Sequence, residues 1–193
     1  PTRRSSDLTA PASMPITLDE VKAQLRVTHT AEDTALNAMI AAAVDYVDGE
    51  GLLGRAMVTQ TWAQYVSQSP GWVRLQMGPF IALTSVQYYD DAGTLQTATV
   101  GDFETRLQDD FVMCGPKDNR EWPTADVRQD AIKITYTAGF GAAADVPASL
   151  KHALLLLVSH WYQNREASGE TAIKEIPLGF DMLLNAHRVS WYG

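Results

Sequence analysis

The tightest constraint on this chain lies between Leu150 and Glu166. Leu150, Ala153, Leu154, Leu157, Val158 and Trp161 recur at the spacing of one helical face. Leu155, Leu156 and Tyr162 widen that stripe until most of the circumference is apolar, which is the condition of a helix buried on several sides. The stretch is too short to span a bilayer and turns polar after Ser159. We read it as a central core helix on which the rest of the chain packs. Pro147 stands at its start, where a missing N–H is tolerated, and Gly169 stands where a C-terminal stop is expected.

Two further helices are expected before it. Thr17 and Glu20 have the spacing of a capping box, with Ile16 and Val21 placed for the accompanying staple. Leu18, Val21 and Leu25 supply one apolar face, and the helix is expected to end near Val27. Thr30 is the expected cap of the second helix, with Glu32 and Asp33 favourable to its dipole. Leu36, Met39, Ile40, Ala43, Val44 and Val47 then recur at three and four, and Gly51 or Gly54 is the expected stop.

From Met57 the period becomes two. Val58 to Val66, Val73 to Met77, Ser85 to Tyr89, Thr94 to Thr97 and Ile132 to Tyr136 read as strands, and Asp90 to Gly93 as a hairpin turn. Phe103 to Leu107 and Phe111 to Cys114 are weaker strand signals. Gly115 to Asp130 reads as a loop anchored by Trp122 and Pro123. After a polar connection over Ser168 to Glu175, Pro177 opens a short last helix with Phe180, Leu183, Leu184 and His187 on one side. The expected fold is therefore α+β. Two N-terminal helices, the core helix and a short C-terminal helix form a bundle, with an antiparallel β-rich block inserted over residues 57–141. Residues 1–15, rich in Pro, Ser and Thr, read as a flexible arm. The domain proper runs over 16–188, and 189–193 form a tail.

Composition narrows the function. The net charge is −8, and Arg3 and Arg4 form the one adjacent basic pair outside any cluster. A protein that grips nucleic acid neutralises phosphates with clustered cations, so tight DNA binding is not expected. An acidic surface past which DNA slides is compatible with these numbers. Arg3 and Arg4 lead into Ser5, Ser6 and Asp7, which is no signal-peptide pattern. The single Cys114 has no internal disulfide partner and reads as a small strand hydrophobe.

Catalytic and metal patterns are weak. His152 and His160 on the core helix stand about 80° apart and two turns apart in height, a poor pair for one metal. Asp90 with Asp91 and Asp109 with Asp110 suit turns better than acid–base chemistry. Gly139-Phe140-Gly141 lacks the Lys-Ser/Thr element of a phosphate loop. No enzyme and no cofactor are expected. Trp191 and Tyr192 are large aromatics at the chain's end that need cover, either by docking onto their own domain or by anchoring an interface with a neighbouring subunit or another protein.

Several segments together carry a resemblance. They are Leu18-Asp19-Glu20-Val21-Lys22 through Leu25-Arg26-Val27, Thr59-Gln60-Thr61-Trp62, and Tyr136-Thr137-Ala138-Gly139-Phe140-Gly141 with Val146-Pro147. His160-Trp161-Tyr162-Gln163-Asn164-Arg165-Glu166 and Ile176-Pro177-Leu178-Gly179 complete the set. In this order they resemble the head–tail connector, or adaptor, proteins of long-tailed phages and of gene transfer agents. The resemblance implies a virion structural protein without catalytic residues, which assembles in the bacterial cytoplasm and sits at the head–tail junction. Such proteins form a ring, typically a dodecamer, beneath the portal. They extend the DNA channel and meet the stopper or tail completion protein. On that resemblance the expected partners are sister copies, the portal, the next ring and passing DNA, with no membrane. The expected portal contact is Arg188, Val189, Ser190, Trp191 and Tyr192. The core-helix residues Leu150, Leu154, Leu157, Val158 and Trp161 hold the protomer together. The alternative function is a DNA-packaging accessory factor that contacts nucleic acid.

Overall fold

The computed structural model describes residues 3–9, 11–68, 70–108, 111–164 and 178–188. Within them the chain is a mixed α and β protein with four α-helices and two antiparallel sheets. It divides into two compact units. One takes in Pro1–Ala12 and Thr59–Gly139, the other Ser13–Val58 and Phe140–Gly193.

The second unit is helical. Helix α1 spans Leu18–Leu25, α2 Asp33–Val47, α3 Ala148–Gln163 and α4 Leu178–Asn185. The α1 cap is the box read from sequence. The Glu20 amide donates to Thr17 Oγ1 at 3.2 Å, and the Thr17 amide donates to Glu20 Oε2 at 2.6 Å. The helix stops at Leu25, two residues before the expected Val27, because Arg26 is left-handed at φ 58° and returns its N–H to the Ala23 carbonyl. Helix α2 starts later than a Thr30 cap would place it. Glu32 is the N-cap residue, without a side-chain cap bond, and the Thr30 carbonyl accepts from the Asp33 amide at 3.2 Å. At its far end Asp48 Oδ1 accepts from the Met57 amide at 2.7 Å. A Cβ on Gly51 would lie 2.5 Å from the Tyr46 carbonyl oxygen, so the turn after α2 admits no larger residue there without movement.

Helix α3 packs against α1, α2 and α4. Leu150, Ala153, Leu154, Leu157 and Val158 are buried in one apolar cluster with Ile16, Val21, Leu36, Ile40, Phe180 and Leu184, among others, while Trp161 packs half-buried against it. Gly169, the expected stop of this helix, lies outside the described residues, as do Pro177 and the polar connection before it. No described helix is long and apolar enough to cross a membrane.

The first unit holds the strands. β1 is Arg3–Thr9, β2 Gln60–Val66, β3 Val73–Leu75, β4 Phe80–Tyr89, β5 Leu95–Ala98, β6 Phe103–Gln108, β7 Phe111–Pro116 and β8 Ile132–Ala138. A five-stranded sheet runs β1-β2-β8-β4-β5, and a three-stranded sheet runs β3-β7-β6. β2 and β8 pair without a slip from Gln60↔Ala138 to Val66↔Ile132. Gly93, at φ 75°, closes the β4–β5 hairpin, and Asp90 Oδ1 accepts from the amides of Ala92 and Thr94. Two expectations change here. The flexible arm read over residues 1–15 contains β1, which pairs antiparallel with β2 through two register shifts and occupies backbone groups that a sheet edge leaves open. β4 begins five residues earlier than the expected Ser85, because Phe80–Ser85 pairs with β8 across two irregularities that period-two reading does not register.

Candidate assembly surfaces

In the helical unit, polar ties sit around the α3 core. Lys22 on α1 pairs with Asp33 on α2 at 2.7 Å. The Tyr162 hydroxyl on α3 donates to Glu32 Oε2 at 2.6 Å. Tyr46 on α2 is 43% exposed, and its ring stands 6.3 Å from that of Trp161. At the other end of α3, Ser149 Oγ and His187 Nε2 are 2.7 Å apart, and the Phe140 ring meets the imidazole edge-on. This pair fastens the turn after α4 to the start of α3. Arg188 is exposed directly after it, while Val189, Ser190, Trp191 and Tyr192, the rest of the expected portal contact, lie outside the described residues.

The strand unit has a second candidate surface that period reading missed. In the small sheet, Val73, Leu75, Cys114 and Phe103 are buried. Burial pushes the Cys114 thiol up to about 12. Alternation sends their neighbours the other way. Arg74, Met113 and Arg106 stand opposite one another in a single cross-strand row. Arg74 lies over the Phe111 ring at 4.1 Å from its centroid, and Arg106 over the Trp72 ring at 4.3 Å. Trp72 in turn lies flat on Gly115, where an added Cβ would meet its ring at 2.8 Å. Arg106 also pairs with Glu104 and stands 3.8 Å from Asp118. The recoverable signal was Trp72 just before a strand and Arg74 two residues on within it, with Arg106 and Phe111 flanking a hairpin.

Two buried hydrogen-bonding devices hold this sheet unit. Gln64 on β2, 1% exposed, donates to the Arg74 carbonyl at 2.8 Å and accepts from the Gln76 amide at 3.0 Å. The Tyr136 hydroxyl on β8 accepts from the Met77 amide at 3.0 Å, and burial raises its pKa. Trp122, expected as a loop anchor, donates from Nε1 to the Gly71 carbonyl at 2.6 Å and packs its ring 5.0 Å from that of Phe103.

The other residues weighed from sequence do not converge. His152 is exposed on α3, and His160 lies within reach of Asn164. Asp90 belongs to its hairpin turn, where the Gln96 amide side chain and then the Thr94 and Ala92 amides hold its carboxyl below the usual carboxylate range. Asp109 and Asp110 lie outside the described residues. Among the described residues no three His, Cys, Asp or Glu side chains are grouped to hold a metal ion.

A family model described as "Head completion protein" matches residues 15–176, and the chain belongs to that family. No curated protein matches it. Among solved structures, it is similar to a chain from "Virion of native gene transfer agent (GTA) particle", with a TM-score of 0.77 and 19% identity. It is similar too to a chain from "Neck of empty GTA particle computed with C6 symmetry", at 0.75 and 20%. A third, from "Neck of native GTA particle computed with C12 symmetry", gives 0.68 and 18%. Each comparison covers 97% of this chain and 96% of the other. At these identities the likeness is one of fold.

Proposed function

We propose that this chain is a structural connector at the head–tail junction of a phage or gene transfer agent particle. It forms a ring beneath the portal, extends the DNA channel and offers its far side to a stopper or tail completion protein. The observation that supports this most is the head completion family match over residues 15–176. The fold likeness to chains of particle necks solved with C6 and C12 symmetry agrees with it, and twelve copies is the count the second of those symmetries favours. The helices act as a bundle with α3 at its centre, and the strand unit is an insertion carried by it. The role is non-enzymatic.

A ring requires two different patches on each subunit and a rotation that closes. Each patch must bury on the order of 800 Å² per partner to hold. The net charge of −8 lets DNA pass without clinging, since released counterions reward cationic surfaces and not acidic ones. We assign the portal contact to the segment from Arg188 through Val189, Ser190, Trp191 and Tyr192, which in sequence follows His187 of the Ser149–His187 pair. Truncation after His187 tests this. The expected result is filled heads that fail to join tails. Normal joining, with the truncated chain still bound to portal, overturns the portal assignment. Retention of the intact chain on DNA that falls steeply with salt would favour the packaging-factor function instead.

A further inference from the structure

We propose that the Trp72–Arg74–Arg106–Phe111 face of the small sheet is one half of the contact between neighbouring copies. It seats on the acidic segment 13–58 of the next copy. The inference rests on the ring reading above and names the surface that closes it.

The face has the composition of a binding hot spot, with two arginines, a tryptophan, a phenylalanine and Met113 in adjacent cross-strand positions. Its geometry is set in advance. Each guanidinium lies on an aromatic ring, and Trp72 is laid on a glycine that leaves no room for a side chain. Side chains already ordered lose little entropy on binding. The buried side of the same sheet supplies the interior, so the fold does not need Trp72 at 36% exposure or Arg106 for its core.

Charge identifies the occupant. Guanidinium groups stacked on rings suit planar carboxylates. A phosphate backbone, a continuous row of negative charge, fits poorly on a face where Glu104 and Asp118 stand beside Arg106 and Asp102 stands 3.3 Å from Arg120, whereas a segment of spaced carboxylates with interleaved cations brings far less repulsion. The complementary charge is present on the chain itself. Segment 13–58 carries seven carboxylates against three cations, Lys22, Arg26 and Arg55. Asp19 on α1 and Asp45 on α2 are exposed within it. A sheet face on one unit and an acidic helical segment on the other are the two unlike patches that a head-to-tail ring needs.

Photo-crosslinking in assembled particles tests the proposal. Gln108, exposed on β6 in the same row as Phe111, is replaced in the full chain by p-benzoylphenylalanine. The expected product is a covalent dimer of this chain whose linked peptide falls within 13–58. Crosslinks to another particle protein, to DNA or to a different segment, or no crosslink at all, overturn it. In parallel, the R74E/R106E double variant should enter particles about tenfold less than wild type, with an unchanged melting curve as purified chain. Normal incorporation overturns the proposal. A wild-type chain absent from particle necks would instead sink the connector reading, a result distinct from a wild-type chain incorporated but linked elsewhere.

Discussion

The helical unit keeps its interior as one apolar mass around α3, to which every helix contributes. The strand unit is organised differently. Its two sheets carry their own buried residues, and single polar side chains, Gln64 and Tyr136, reach to the backbone of the segment 74–77. An apolar cluster tolerates small shifts because dispersion and burial are non-directional. A buried hydrogen bond does not, since a donor or acceptor left unmade keeps its full desolvation penalty. The helical unit should therefore respond to lost volume, and the strand unit to lost hydrogen-bonding geometry.

The largest expected effect sharpens the first half of that contrast. Leu157→Ala removes a fully buried side chain from α3 and should cost about 2–5 kcal/mol in denaturant unfolding. Leu107→Ala, at a side chain 78% exposed on β6, should cost less than about 0.5 kcal/mol. Equal losses would break the comparison. Next is Gln64→Leu, which keeps volume and removes both hydrogen bonds. It should destabilise by about 1–3 kcal/mol. Amide exchange should quicken first at Gln76 and β3 and not in α3; faster exchange in the helices alone would refute the division.

The smallest effect is in pH. Asp90 has its folded-state carboxyl held below the ordinary value by Gln96, Thr94 and Ala92, so its contribution is present above the unfolded carboxylate pKa. It is lost as pH falls through the lowered folded value. Asp90→Asn should lower stability slightly at neutral pH and have least effect below the lowered folded value, so that the acid limb of the stability curve flattens. A larger loss at pH 3 than at pH 7 would overturn this sign.

Local signals were legible where one stretch of chain states its own environment. The Thr17–Glu20 box, the α3 stripe and the Asp90–Gly93 turn each depend on residues within a few positions of one another. Helix ends were less so: Arg26 stops α1 without a glycine, and Glu32 begins α2 where Thr30 had the better capping chemistry. The partition of eight strands into two sheets was not legible, because period two tells which residues share a face and not which strand lies alongside. Gln64 is the clearest case. Its side chain is polar and yet buried, sharing a strand face with Trp62 and Val66, with both amide atoms bonded to the backbone. The Arg106–Trp72 stack joins positions thirty-four residues apart and had no local trace.

Sequence alone determined the class of elements, the central helix and the acid excess, because periodicity and charge are sums over neighbouring residues. Only the tertiary structure decided strand order, the burial of Gln64 and the gathering of two arginines on two aromatic rings. Those depend on backbone hydrogen bonding between distant segments, whose partners are chosen when the whole chain closes.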